Sequence, residues 1–93
     1  MDRTTIIHMK NKYNVTDLSG EKVMVDFNTG KYFLIKGVGN DIWDIIQQDI
    51  SVGEVIDRLL SEYEVSQTEC EESVFEFLDK LNNAGMIDVS RNI

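Results

Sequence analysis

The apolar residues of this 93-residue chain change period once, near residue 37. Before that point they recur at every second position, as on a strand that buries one face. After it they recur at intervals of three and four, as on a helix that buries one stripe. A chain of this length has room for one hydrophobic core. The switch therefore predicts an α+β fold in a single domain spanning 1–93, a small sheet followed by helices on a shared core.

The sheet half reads as a meander. Val23, Val25 and Phe27 alternate with Lys22, Met24 and Asp26, and the run Lys31 to Lys36 is rich in aromatic and β-branched residues. Asn28-Thr29-Gly30 predicts the turn between them, with glycine at the position that needs positive φ. Tyr13 to Leu18 also alternates, and Ser19-Gly20 makes a second turn. Three antiparallel strands result. A further strand over Ile6 to Met9 and a short extended segment at Met86, Ile87 and Val89 are weaker signals.

Three helices follow. Val38, Ile42, Trp43, Ile45 and Ile46 form one face of a helix running from Val38 to about Gln48. Ser51 with Glu54 is a capping box for a second helix, whose apolar set is Val52, Val55, Ile56, Leu59, Leu60 and Tyr63. Ser66 with Glu69, or Thr68 with Glu71, opens a third helix that runs to about Ala84, and Gly85 ends it. At about 100° per residue, Cys70, Val74, Phe77, Leu81 and Ala84 cluster within roughly 80° as its core stripe. Leu78 sits on the shoulder of that stripe. Phe75 lies well off it, beside Glu71, Asp79 and Asn82, and an off-stripe aromatic points to a neighbouring element or a groove.

Charge divides at the same place as the period. Residues 1–36 hold six Lys/Arg against four acids, whereas residues 37–93 hold three against thirteen, within a net charge of −8. The third helix carries Glu69, Glu71, Glu72, Glu76 and Asp79 against Lys80 alone. A nucleic-acid reader needs the opposite sign on such a helix, so a nucleic-acid partner is not expected. One histidine, His8, and one cysteine, Cys70, stand far apart and form no recognisable metal or nucleophile–base set. Cys70 falls on the core stripe as a buried thiol. Gly37-Val38-Gly39 lacks the rest of a phosphate loop and serves a sharp strand-to-helix passage. No enzyme activity, cofactor or metal is expected. No apolar run exceeds four residues and the N-terminus lacks a secretory pattern, so a cytoplasmic protein with no membrane partner is expected.

A meander followed by three helices is a winged helix-turn-helix-like arrangement. Within it, an ordered set of short motifs resembles the PqqD family, the recognition elements of ribosomally made, post-translationally modified peptides. The set is Gly20-Glu21-Lys22-Val23-Met24-Val25-Asp26, Thr29-Gly30-Lys31-Tyr32-Phe33, Val38-Gly39 and Ile42-Trp43-Asp44. Val52 through Leu60, Glu62-Tyr63, Phe77-Leu78, Leu81 and Gly85-Met86-Ile87 complete it. It covers about Lys12 to Val89 and looks most like the stand-alone members found beside lasso-peptide biosynthetic enzymes. One departure is Ile35-Lys36, where the family commonly has Leu-Asn. The cap of the first helix is then expected from Asn40 or Asp41 after a shifted start.

The resemblance implies a non-catalytic chaperone that binds a precursor's leader peptide and presents it to a separate modifying enzyme or leader peptidase. The leader adds as a strand along the third strand, in a groove walled by the third helix. The residues expected to bind it are Lys31, Tyr32, Phe33, Leu34 and Ile35, with Phe75, Leu78, Asp79 and Asn82 from the helix. Which of Tyr32/Leu34 or Phe33/Ile35 faces the groove stays open. An unoccupied edge also permits an edge-paired dimer in place of a monomer. The competing readings are a winged-helix DNA-binding regulator and a generic protein–protein adaptor.

Overall fold

The computed structural model describes residues 1–10, 13–26 and 30–91. Its elements are β1 (Thr5–Met9), β2 (Val15–Leu18), β3 (Glu21–Asp26), β4 (Lys31–Ile35), α1 (Val38–Ile45), β5 (Ile50–Ser51), α2 (Val52–Glu62), α3 (Gln67–Asn83) and β6 (Ile87–Arg91). Among the described residues they form two antiparallel sheets of three strands, β2-β3-β4 and β5-β1-β6, with three helices.

The first sheet is the expected meander. Ser19-Gly20 joins β2 to β3 as a two-residue loop closed by the pair Leu18 and Glu21. The expected turn at Asn28-Thr29, and Phe27 before it, lie outside the described residues. The alternation in β3 has the opposite sense to the one read from Val23, Val25 and Phe27. Met24 is 1% exposed and Val25 is 45% exposed. Directly opposed residues share a face, so the register sets Met24 with Phe33 and Lys22 with Ile35 on the inner side. Val23 with Leu34 and Val25 with Tyr32 lie on the outer side. Both faces of β3 carry apolar residues, so alternation alone did not say which one meets the core.

The second sheet brings the chain ends together. β1 is its central strand, paired with β5 through Ile7 and Ile50 and with β6 along its whole length. Both weak extended signals thus become strands, and each is completed by a partner at the other end of the sequence. Ile7, Ile50 and Ile87 are buried in the core shared with α2 and α3. Arg3 reinforces this side: its guanidinium lies 2.8 Å from Asp57 on α2 and 3.3 Å from Glu71 on α3. His8 Nδ1 lies 2.9 Å from Asp49 Oδ1, and its Nε2 3.0 Å from Ser90 Oγ, cross-linking β1 to β6 and to the approach to β5.

The helix boundaries follow local chemistry. Ser51 Oγ accepts the Glu54 N–H and Ser66 Oγ accepts the Glu69 N–H, each at 3.2 Å, so Ser66 and not Thr68 caps α3. At the other end of α3, Gly85 has φ 75°, and Gly85 N–H donates to Asn82 and Met86 N–H to Leu81. That bond pair is the Schellman closure, which glycine allows without steric penalty. α1 departs from expectation at both ends. It begins at Val38 with no shifted start, capped only by the Gly37 backbone, and stops at Ile45. Gly37 has φ 63° there, a conformation that turns the chain sharply from β4 into the helix. Asn40, expected as a cap, instead donates Nδ2–H to the Gly20 carbonyl at 2.6 Å and ties α1 to the β2–β3 turn. Lys22 makes a second tie, 3.1 Å from Asp17 and 3.7 Å from Asp44 on α1. Those carboxylates raise its pKa, the Asp17 bond first. No helix among the described residues is long and apolar enough to cross a membrane.

Candidate functional site

Among the described residues β4 is an outer strand of its sheet, with β3 as its paired neighbour. The other side presents alternate backbone N–H and C=O groups along the edge. Phe33 and Ile35 turn inward, Ile35 being buried, while Tyr32 and Leu34 are 73% and 52% exposed on the outer face. Phe33 and Ile35 thus line the side toward the core and the helices, and Tyr32 and Leu34 the side toward solvent.

The end of β4, the first turn of α1 and the middle of α3 converge on Gly39. A Cβ at this buried glycine would lie 3.0 Å from Phe77 Cε1 and 3.2 Å from Ile35 Cγ2. Hydrogen in place of a methyl lets the three elements approach, and it explains the second glycine of Gly37-Val38-Gly39. Beside this junction lies a recess of about 190 Å³ lined by Lys36, Val38, Gly39, Ser73, Glu76, Phe77 and Lys80. Its rim is mixed in charge, with Lys80 Nζ 3.7 Å from Glu76 Oε1. The recess shares Val38 and Ser73 with an apolar cleft of about 230 Å³, whose other walls are Leu59, Tyr63, Val65, Glu69 and Cys70. Tyr63 donates its hydroxyl to Asp41, linking the end of α2 to α1, and this bond foremost holds its pKa above the usual tyrosine value. Burial pushes the Cys70 thiol up in the same direction.

α3 has two flanks around its buried line of Cys70, Val74, Leu78 and Leu81. The flank of Ser73, Glu76, Phe77 and Lys80 faces the β4 side. The flank of Glu71, Phe75, Asp79 and Asn82 faces the chain termini. Glu71 meets Arg3, and Asp79 and Asn82 line a polar hollow with Met1, Asp2, Thr5, Val89 and Ser90. The helix residues expected in the groove are therefore not gathered beside β4. Leu78, placed on the shoulder of the stripe, is 0% exposed and lies in the core. Phe75 is half-buried and packed against the core. Phe77, assigned to the stripe, is half-buried on the groove side, and Ala84 is exposed. A wheel finds the apolar centre of a helix to within one or two positions, but its two flanks are equivalent until neighbouring elements occupy one. The one sequence signal that favoured the Phe77 flank was Gly39, a helical glycine that marks a close approach.

The architecture defines a class: a winged helix-turn-helix-like α+β scaffold in which a three-stranded meander precedes three helices. The family model for coenzyme PQQ synthesis protein D (PqqD) matches residues 21–87, from β3 to the start of β6. This chain belongs to that family. Two solved structures share its fold. One is "TbiB1 in Complex with the TbiA(beta) Leader Peptide", at TM-score 0.75 and 25% identity over 87% of this chain and 94% of that one. The other is "Lasso peptide synthetase B1 complexed with the leader peptide", at TM-score 0.75 and 23% identity over 88% and 96%. No curated protein matches the sequence.

Proposed function

We propose that this chain binds the leader of a ribosomally made precursor peptide as a fourth strand on β4, and presents it to a separate enzyme. The observation that carries the reading is the outer position of β4, the last described strand of its sheet, beside the α3 recess. A guest strand satisfies the edge N–H and C=O groups, which gives affinity with little sequence demand. Every second side chain of the guest then enters the recess near Phe77, and the rest lie along Tyr32 and Leu34 on the outer face. The leader-bound state of both solved relatives supports the same use of the fold. The guest's reaction, modification or leader cleavage, belongs to the partner enzyme.

The test is fluorescence anisotropy with labelled synthetic peptides carrying the leaders of candidate precursors, sought among short open reading frames near this chain's gene. Phe77→Ala removes a partly buried aromatic from the recess and is expected to weaken binding by about 2 kcal/mol, roughly 30-fold. Asp79→Ala, on the opposite flank, leaves affinity unchanged. Circular dichroism confirms that both variants fold. Equal affinity in wild type and Phe77→Ala, or a loss in Asp79→Ala alone, would refute the assignment of the groove.

A further inference from the structure

Strand addition accounts for the backbone of a guest and says nothing of which side chain the recess beside β4 receives. The floor of the recess is apolar: Gly39 is buried, and Val38 and Phe77 are half-buried. Its rim is charged, with Lys36, Glu76 and Lys80 all exposed. At about 190 Å³ it falls below the roughly 300–1,000 Å³ of small-molecule sites and has room for one side chain.

Two ammonium groups against one carboxylate make this rim net positive, in a chain of net charge −8. The sign is local. The rest of α3 carries Glu69, Glu71, Glu72 and Asp79 and no cation. Elsewhere Arg3, Lys10 and Lys22 each lie within 3.5 Å of a carboxylate. Lys80 meets Glu76, one helical turn before it, at 3.7 Å, and so exposed a pair holds its partners weakly. Lys36 makes no ion pair among the described residues. It follows β4 directly, at the corner where Gly37, with φ 63°, turns the chain into α1. An uncompensated cation therefore stands at the end of the edge that a guest strand pairs with.

We propose that Lys36, with Lys80 on the α3 wall, selects a guest carrying a glutamate or aspartate at the position that enters the recess. The proposal rests on the strand-addition reading and adds the chemistry of one guest side chain. The methylenes of such a side chain cover Val38 and Phe77, and its carboxylate reaches the ammonium groups at the rim. Elsewhere along α3 the same carboxylate meets like charge, so the preference is confined to one position of the peptide.

The probe is the labelled leader peptide that binds in the anisotropy assay, with each of its Asp and Glu residues replaced in turn by Asn or Gln. One such replacement is expected to weaken binding to the wild-type protein about threefold, as for an exposed ion pair, and to leave binding to Lys36→Gln unchanged. Lys36→Glu turns that attraction into repulsion and is expected to weaken binding about tenfold. Lysine at the responsive position of the peptide then restores it. Raising NaCl from about 0.1 M to about 1 M erases these differences. Arg58→Gln removes another exposed cation, on α2 and outside the recess, and leaves affinity unchanged. Circular dichroism confirms that the variants fold. Charge selection is overturned, and strand addition left standing, by equal affinity of wild type, Lys36→Gln and Lys36→Glu. Peptide replacements that act alike on wild type and Lys36→Gln, or an equal loss in Arg58→Gln, overturn it in the same way. A wild-type protein that binds none of the leader peptides overturns both readings.

Discussion

Gly39→Ala probes the junction on which the groove is built, and its cost is calculable from the contacts. The new methyl meets Phe77 Cε1 at 3.0 Å, Ile35 Cγ2 at 3.2 Å and Phe77 Cδ1 at 3.3 Å, all inside ordinary van der Waals separation. The Phe77 ring has to withdraw by a few tenths of an ångström, against a core that is already packed. Overpacking of this kind costs about 1–3 kcal/mol. Alanine gains up to about 1 kcal/mol over glycine in a helix interior, and less here in the first turn of α1. The net expectation is a loss of about 1 kcal/mol, or a fall in Tm of about 4–8 °C for a domain of this size. Urea and thermal melts by circular dichroism measure it. In a Phe77→Ala background two of the three close contacts vanish, so the same substitution costs less, with a coupling of about 1 kcal/mol. An equal cost in both backgrounds, or a stabilising effect in the wild-type chain, would show that the ring is not what Gly39 accommodates.

Other substitutions test the parts around that junction. Leu78→Asp buries an unpaired carboxylate in the core and is expected to cost several kcal/mol and unfold the chain, detected as loss of helical circular dichroism. If the variant folds and only peptide affinity falls, Leu78 is a groove residue after all. Ser66→Ala removes the acceptor for the Glu69 N–H and should lower stability by about 1 kcal/mol in urea melts, while leaving the α2 cap untouched. Tyr63 titrates above an ordinary tyrosine because its protonated hydroxyl donates to Asp41. A raised folded pKa means that the contribution to stability is complete below pH 10 and is lost as pH rises through the shifted value. Tyrosinate absorbance should therefore contain a late-ionising component above pH 10 that disappears in Tyr63→Phe; identical titrations of the two proteins would remove the bond.

How much of this was legible without coordinates varies by element. The serine caps and the Gly85 stop depend on contacts within one turn of helix, so residues three positions apart were enough to place them. The switch of period at residue 37 likewise set an α+β order, and the motifs from Gly20 to Ile87 carried the family. Sequence did not reveal the second sheet as a sheet. β1 and β6 are brief, and each gains its hydrogen bonds from the opposite end of the chain, where local pattern has no reach. Val25 and Met24 exchanged faces because an apolar residue on either side of β3 leaves the sense of the alternation undetermined.

The candidate site divides along the same line. An edge strand at Lys31 to Ile35 beside the last helix followed from strand order and from the resemblance. Which flank of α3 lies on the side of that strand did not, because the wheel put Phe77 within the core stripe and Phe75 off it and carries no information on the neighbours of either. β1, β6 and Arg3 occupy the Glu71–Asn82 side, and on the other side the absence of a side chain at Gly39 makes room for Phe77 and Ile35. Periodicity fixes what a helix buries, since it records distances along one axis. Orientation about that axis depends on contacts with distant segments, and only the assembled tertiary structure decides it.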